Sequence, residues 1–105
     1  MPDHPDARRI VQRDLARDVR RLQARAPRLS TGEIDRAMAA IGAKAAEYNL
    51  APAAQVARSS LLSHVGAGHR AALGAHLARM EDAIRAPGDP AATQAILADI
   101  ALRLR

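Results

Sequence analysis

The chain has 105 residues, of which 26 are alanine, one is aromatic and none is cysteine, and its net charge is +5. The lack of cysteine excludes disulfide bonds and thiolate chemistry, and no apolar run reaches the roughly 18 residues of a membrane-spanning helix. This length predicts a single helical domain over residues 1–105, with residues 1–5 as a loose lead-in. The polar N-terminus lacks the apolar segment of a secretory signal, so we expect a cytoplasmic protein.

Alanine supplies most of the apolar content, because the large aliphatic residues are only 11 leucines, 6 isoleucines and 4 valines. Alanine favours helix more than any other residue, but it buries little apolar area when helices pack. We therefore expect a basic, alanine-rich helical protein that completes its core by forming a homo-oligomer. Fifteen of the 16 basic residues are arginine, which together with the alanine content is typical of a bacterial GC-rich genome.

The first predicted helix runs from Asp6 to Ala26 and is stopped by Pro27. Its expected inner face has apolar residues at steps of three and four: Val11, Leu15, Val19, Leu22 and Ala26. A second face carries arginines: Arg9, Arg13, Arg17 and Arg20. Residues 1–28 hold eight arginines against four aspartates, so nearly all of the positive excess lies in this helix. The spacings from Asp14 to Arg17 and from Asp18 to Arg21 allow intrahelical ion pairs.

The second predicted helix opens with a capping box, in which Ser30 is the N-cap and Glu33 is the third helical residue. Asn49 is suited to end this helix, because asparagine tolerates the left-handed conformation. The expected apolar stripe comprises Ile34, Met38, Ile41, Ala45 and Tyr48. Pro52 fits the first turn of a third helix that runs to about Val65. Its expected inner face comprises Ala54, Ala57, Leu61 and Val65.

Gly66 and Gly68 disfavour helix, so they are predicted to separate the third helix from the fourth. The stripes of the last two helices are Leu73, Leu77, Met80 and Ile84, and then Ile96, Ile100 and Leu104. A turn at residues 86–90 joins these two helices, which we expect to form an antiparallel hairpin. The fold class predicted is all-α, a small bundle of four to five helices with short turns.

Three histidines lie close to the glycines. His69 and His76 are expected to be half-buried beside the Leu73–Leu77 stripe, because their spacing matches no metal site. We predict neither a metal nor a cofactor.

His64 has an alternative interpretation. Together with Gly68 and the Leu73-Gly74-Ala75 segment, it resembles the surroundings of the phosphorylated histidine in histidine-phosphotransfer domains. That resemblance implies a helical signalling module using His64, with Gly68 allowing a receiver domain to approach. The sequence departs from the family at Ala67, where the family has a lysine, and at Gly66, an additional glycine.

Residues 45–61 resemble a helix-turn-helix segment, with a turn at Asn49 and a short polar helix after it. In this interpretation Gln55 and Arg58 contact DNA in the major groove. The arginines of the first helix, Arg9, Arg13, Arg17 and Arg20, would add phosphate contacts. The protein would then be a DNA-binding regulator.

The sequence contains no paired carboxylates, phosphate loop or nucleophile elbow that predicts catalysis, so no catalytic residue is assigned. The leading hypothesis is a non-enzymatic helical domain for protein–protein interaction or regulation. Its partner would be a second copy or another helical protein, and no membrane binding is expected. Self-contact is expected through the apolar stripes of the second or fourth helix. DNA binding and phosphotransfer are the two alternatives.

Overall fold

A computed structural model describes residues 5–62, 69–86 and 90–104, and the regular structure in these ranges is entirely helical. The helices are α1 (Pro5–Arg25), a 3₁₀ turn (Ala26–Arg28), α2 (Thr31–Glu47), α3 (Ala51–Leu62), α4 (His69–Arg85) and α5 (Pro90–Arg103). The predicted all-α bundle with short turns is therefore confirmed.

Local signals set the ends of α2. The Ser30 hydroxyl accepts from the Glu33 backbone N–H at 3.1 Å, and Glu33 Oε1 accepts from the Ser30 N–H at 3.1 Å. This is the predicted capping box. At the other end Asn49 has a φ of 60°, the left-handed conformation that lets the chain turn into α3.

One hydrophobic core joins all five helices. All but three of the predicted stripe residues of α1, α2, α4 and α5 lie in it: Val11, Leu15, Val19, Leu22, Ile34, Met38, Ile41, Ala45, Leu73, Leu77, Met80, Ile84, Ile96 and Ile100. Because the α2 and α4 stripes are buried within a single chain, they are not available for contact with a second copy. The expectation that these stripes mediate self-association is therefore wrong.

α1 lies antiparallel to α4. Gln12 Nε2 donates to the Ile84 carbonyl at 2.9 Å, and Gln23 Nε2 donates to the Leu77 carbonyl at 3.3 Å. Arg70, near the start of α4, donates to the carbonyls of Ala26 and Leu29 in the connection between α1 and α2. These contacts fix which face of α1 points to solvent.

α4 and α5 form the predicted C-terminal antiparallel hairpin. Arg79 of α4 contacts Asp99 of α5 at 3.2 Å, and Asp99 also pairs with Arg103 at 3.2 Å. The acidic group of α5 is thus shared between arginines of both helices.

Three expectations about individual side chains are wrong. Tyr48 is 42% exposed because α2 ends at Glu47, one residue before it. Leu104 is 41% exposed because it follows the end of α5. Ala26 is only partly buried, since the chain has already left α1 for the 3₁₀ turn.

The buried face of α3 also differs from the expected one. It comprises Ala53, Val56, Ala57 and Ser60, whereas Ala54 and Leu61 are only partly buried. Alanine occurs on all sides of this helix, so apolar spacing does not distinguish its faces. Val65 lies outside the described residues.

Candidate functional site

The predicted arginine stripe of α1 lies in solvent. Arg9, Arg13, Arg17 and Arg20 are all exposed. Arg17 pairs with Asp14 at 3.8 Å on the same helix, and Arg20 approaches Glu81 of α4 at 3.5 Å. Both arginines are exposed, so these contacts are weak.

Arg9 and Arg13 differ from their neighbours, because neither has an ion-pair partner within the described part of the chain. Ile10 lies between them in sequence and is 57% exposed. We call the exposed surface formed by Arg9, Ile10, Arg13 and Arg17 the α1 basic face. It combines unpaired guanidinium groups with a large apolar side chain.

The acidic residues near the C-terminus are engaged with arginines of the same region. Asp82 contacts Arg79 at 2.8 Å, and Glu81 contacts Arg85 at 3.2 Å. Since these carboxylates have cations beside them, the positive excess of the chain remains concentrated on α1.

The helix-turn-helix candidate, residues 45–61, folds as the end of α2, the turn at residues 48–50 and most of α3. Where α2 packs against α3, a Cβ built on Gly42 would lie 2.6 Å from the Ala57 Cβ. These residues lie seven and eight positions from Asn49, about 10 Å along each helix axis. In a helix-turn-helix motif the helices diverge at about 90–120°. Such close contact far from the turn favours a packed helical hairpin.

Gln55 and Arg58, the proposed base-contacting residues, are both exposed on α3. They line the groove between α2 and α3. The described residues that line this groove come from α2 and α3, and none comes from α1, which carries the proposed phosphate contacts.

The phosphotransfer candidates His64 and Gly68 lie outside the described residues. The side chain of His69 is also outside them. Only His76 can be placed, and it is 1% exposed, where we had expected a half-buried side chain.

His76 is fixed by two hydrogen bonds. Its Nδ1 lies 2.7 Å from the Ala72 carbonyl, and its Nε2 lies 2.9 Å from the Ser59 hydroxyl. Because a carbonyl only accepts, Nδ1 carries the proton in the neutral ring, and Nε2 accepts from Ser59. The arrangement resembles an oriented serine–histidine pair, but the base is enclosed in the core. We assign it a role in joining α3 to α4.

Within residues 5–62, 69–86 and 90–104, no three metal-ligating side chains cluster as a metal site requires. No described helix has the length and apolar character needed to cross a bilayer.

Comparisons with known proteins give no relative for this chain: no family model, no curated protein and no solved structure matches it. Its function is therefore argued from its own residues.

Sequence reasoning missed two features that the fold creates. The contact between Ser59 and His76 joins residues 17 positions apart on different helices, and no local spacing marks it. The exposed Ile10 adjoins Arg9 in sequence, and its position outside the apolar stripe is the signal that could have placed it in solvent.

Proposed function

We propose that this protein is a non-enzymatic helical interaction domain that binds an acidic protein surface through the α1 basic face. The observation that carries the proposal is the exposure of Arg9 and Arg13 without acidic partners in the described part of the chain. Guanidinium groups bind carboxylates by paired hydrogen bonds, and complementary charge directs association.

Ile10 favours a protein partner over nucleic acid. Covering its exposed side chain with an apolar residue stabilises a complex, and a phosphate backbone has no apolar group that could do so. Asp14, beside Arg17 at 3.8 Å, would also repel phosphates. We infer an acidic amphipathic helix as the partner, with its carboxylates on the arginines and its apolar side chains on Ile10.

The test uses a synthetic amphipathic helix of glutamate and leucine, labelled for fluorescence anisotropy. The R9Q/R13Q variant should bind it three- to tenfold more weakly than the natural chain, since exposed ion pairs contribute about 0.2–1 kcal/mol each. The control R85Q/R103Q removes the same charge from α4 and α5, where both arginines already face carboxylates. It should retain affinity. Equal losses in both variants would refute a specific α1 site.

The Ile10→Ser variant distinguishes a protein partner from a nucleic-acid partner. If the partner is a protein, the variant should bind the acidic peptide more weakly than the natural chain does. A 20-base-pair DNA duplex that binds more tightly than the peptide, with equal affinity in the Ile10→Ser variant, would instead support the nucleic-acid alternative. DNA affinity would then fall steeply as salt rises.

Self-association is the second candidate. Two copies would repel each other through the α1 basic face, but Arg58 is the only charged residue among the described residues that line the groove between α2 and α3. Its α2 side is formed by small residues, Ala39, Gly42, Ala43 and Ala46, three of them exposed alanines. A helix of a second copy could approach this surface closely without charge repulsion.

A further inference from the structure

A cleft of about 380 Å³ lies between the second half of α1 and the first half of α2. None of the residues of the α1 basic face lines it. Three arginines line it, Arg21 and Arg25 from α1 and Arg36 from α2. They are exposed, and none has an ion-pair partner within the described residues. Three guanidinium groups thus border one concavity without being neutralised by direct contact.

The two carboxylates of the cleft cancel only part of this charge. Glu33 is held by Ser30, whose N–H donates to Oε1 at 3.1 Å. Hydrogen bonds from Ser30 are the main reason that the pKa of Glu33 is lowered, and the charges of Arg36 and Arg25 lower it further. The remaining acid is Asp18 on α1. Three cations against two anions leave the cleft positive.

The cleft also has apolar walls. Leu22 lines it from the edge of the core, and Leu29 and Ala37, both partly buried, complete this side. A simple inorganic anion would leave this surface in contact with water. A ligand with an apolar body would cover it, and the cleft volume is in the range of small-molecule sites.

We propose that this cleft binds an organic anion in which a phosphate or carboxylate is attached to an apolar body. The anionic group contacts Arg25 and Arg36, which approach from different helices, and the apolar body covers Leu29. Arginine recognises both anionic groups through the same paired geometry, so the shared chemistry defines the ligand class. The proposal does not depend on partner binding at the α1 basic face.

Octyl phosphate and octanoate are the two probes, and each is titrated into ¹⁵N-labelled protein. We expect saturable shifts of backbone amide resonances confined to residues 18–37, and the probe with lower Kd identifies the preferred anion. The R25Q/R36Q variant should weaken binding at least tenfold, whereas R9Q/R13Q should bind as the natural chain does. Inorganic phosphate should bind more weakly than octyl phosphate.

Three results would overturn the proposal: absence of saturable shifts at millimolar probe, undiminished binding by R25Q/R36Q, or equal affinity for inorganic phosphate and octyl phosphate. Because both substituted arginines are exposed, the variant should fold, and its amide spectrum verifies this. Ala37→Glu provides a second test, since a carboxylate on the cleft wall should also abolish binding. R25Q/R36Q should still bind the acidic peptide, which separates this site from the α1 basic face.

Discussion

Gly42 of α2 faces Ala57 of α3 so closely that a Cβ on Gly42 would lie 2.6 Å from the Ala57 Cβ. Real Cβ atoms do not approach each other to this distance, so the glycine is required for the helices to pack as they do. The backbone separation of α2 and α3 is thus set by the absence of a single methyl group.

Gly42→Ala should destabilise the fold. Alanine would normally stabilise a helix interior by about 1 kcal/mol over glycine, but overpacking costs about 1–3 kcal/mol, and here the added methyl meets Ala57. We expect a lower midpoint in urea denaturation with an unchanged slope. Adding Ala57→Gly should restore part of the loss.

Gly74→Ala is the matched control, because Gly74 is in α4 and a Cβ there meets nothing within 4 Å. It should stabilise the protein by up to about 1 kcal/mol. If both alanines shift the midpoint in the same direction, the Gly42 contact does not limit the approach of α2 to α3.

Ser59 and Ser60 are neighbours that should respond oppositely to alanine substitution. Ser59→Ala removes the donor to His76 Nε2 and leaves a buried acceptor unsatisfied, which costs about 1–3 kcal/mol. The Ser60 hydroxyl is buried without a hydrogen-bond partner among the described residues, so Ser60→Ala should be neutral or stabilising. Urea denaturation measures both. A loss at Ser60 that equals the loss at Ser59 would contradict the assigned hydrogen bonds.

The capping box makes stability depend on pH. The pKa of Glu33 is lowered from its ordinary value of 4.5, chiefly by hydrogen bonds from Ser30. A carboxyl whose folded-state pKa is lowered stabilises the fold above its unfolded-state pKa, and this contribution is lost as pH falls through the folded-state pKa. Glu33→Gln keeps the acceptor but removes the charge. The stability advantage of the natural chain over this variant should therefore be present at pH 7 and absent at pH 2.

Ser30→Ala removes the other half of the box and should cost about 1 kcal/mol at pH 7. Residue 30 keeps its backbone N–H, the main cause of the lowered pKa of Glu33, so the variant should lose only part of the pH dependence attributed to Glu33. An unchanged acid profile would show that the Ser30 hydroxyl does not contribute to the lowered pKa of Glu33.

Self-association is tested by light scattering at tens of micromolar protein. A mass above the 11.2 kDa of one chain is expected if the groove between α2 and α3 binds a second copy. Ala43→Glu would place a carboxylate in that groove and return the mass to that of a monomer. A monomeric natural chain would remove the second candidate function.

The helices and most of the core could be predicted because their signals are local. Ser30, Glu33 and Asn49 define the ends of α2 through hydrogen bonds and backbone conformation within a few residues. Large apolar residues at steps of three and four then identify the buried faces, and this predicted the core stripes of α1 and α2.

Features that depend on contacts between helices could not be predicted. In α3, alanines occupy both the buried and the half-buried sides, and Ser60 is buried although it is polar. The cleft at Arg25 and Arg36 likewise exists only because α1 and α2 meet at a particular angle. The exposure of the α1 arginines and the local pair between Asp14 and Arg17 could be predicted from spacing, whereas the contact of Arg20 with Glu81 of α4 could not.

The polar contacts between α1 and α4 have a consequence for tolerance to substitution. Gln12 and Gln23 donate to main-chain carbonyls of α4, and Arg70 donates to main-chain carbonyls after α1. An acceptor on the main chain survives any exchange of its own side chain, whereas each donor is a specific amide or guanidinium group. These polar bonds are therefore vulnerable to substitution at three donor positions, whereas the side chains of Leu77 and Ile84 matter for the core and not for the bonds that their carbonyls accept.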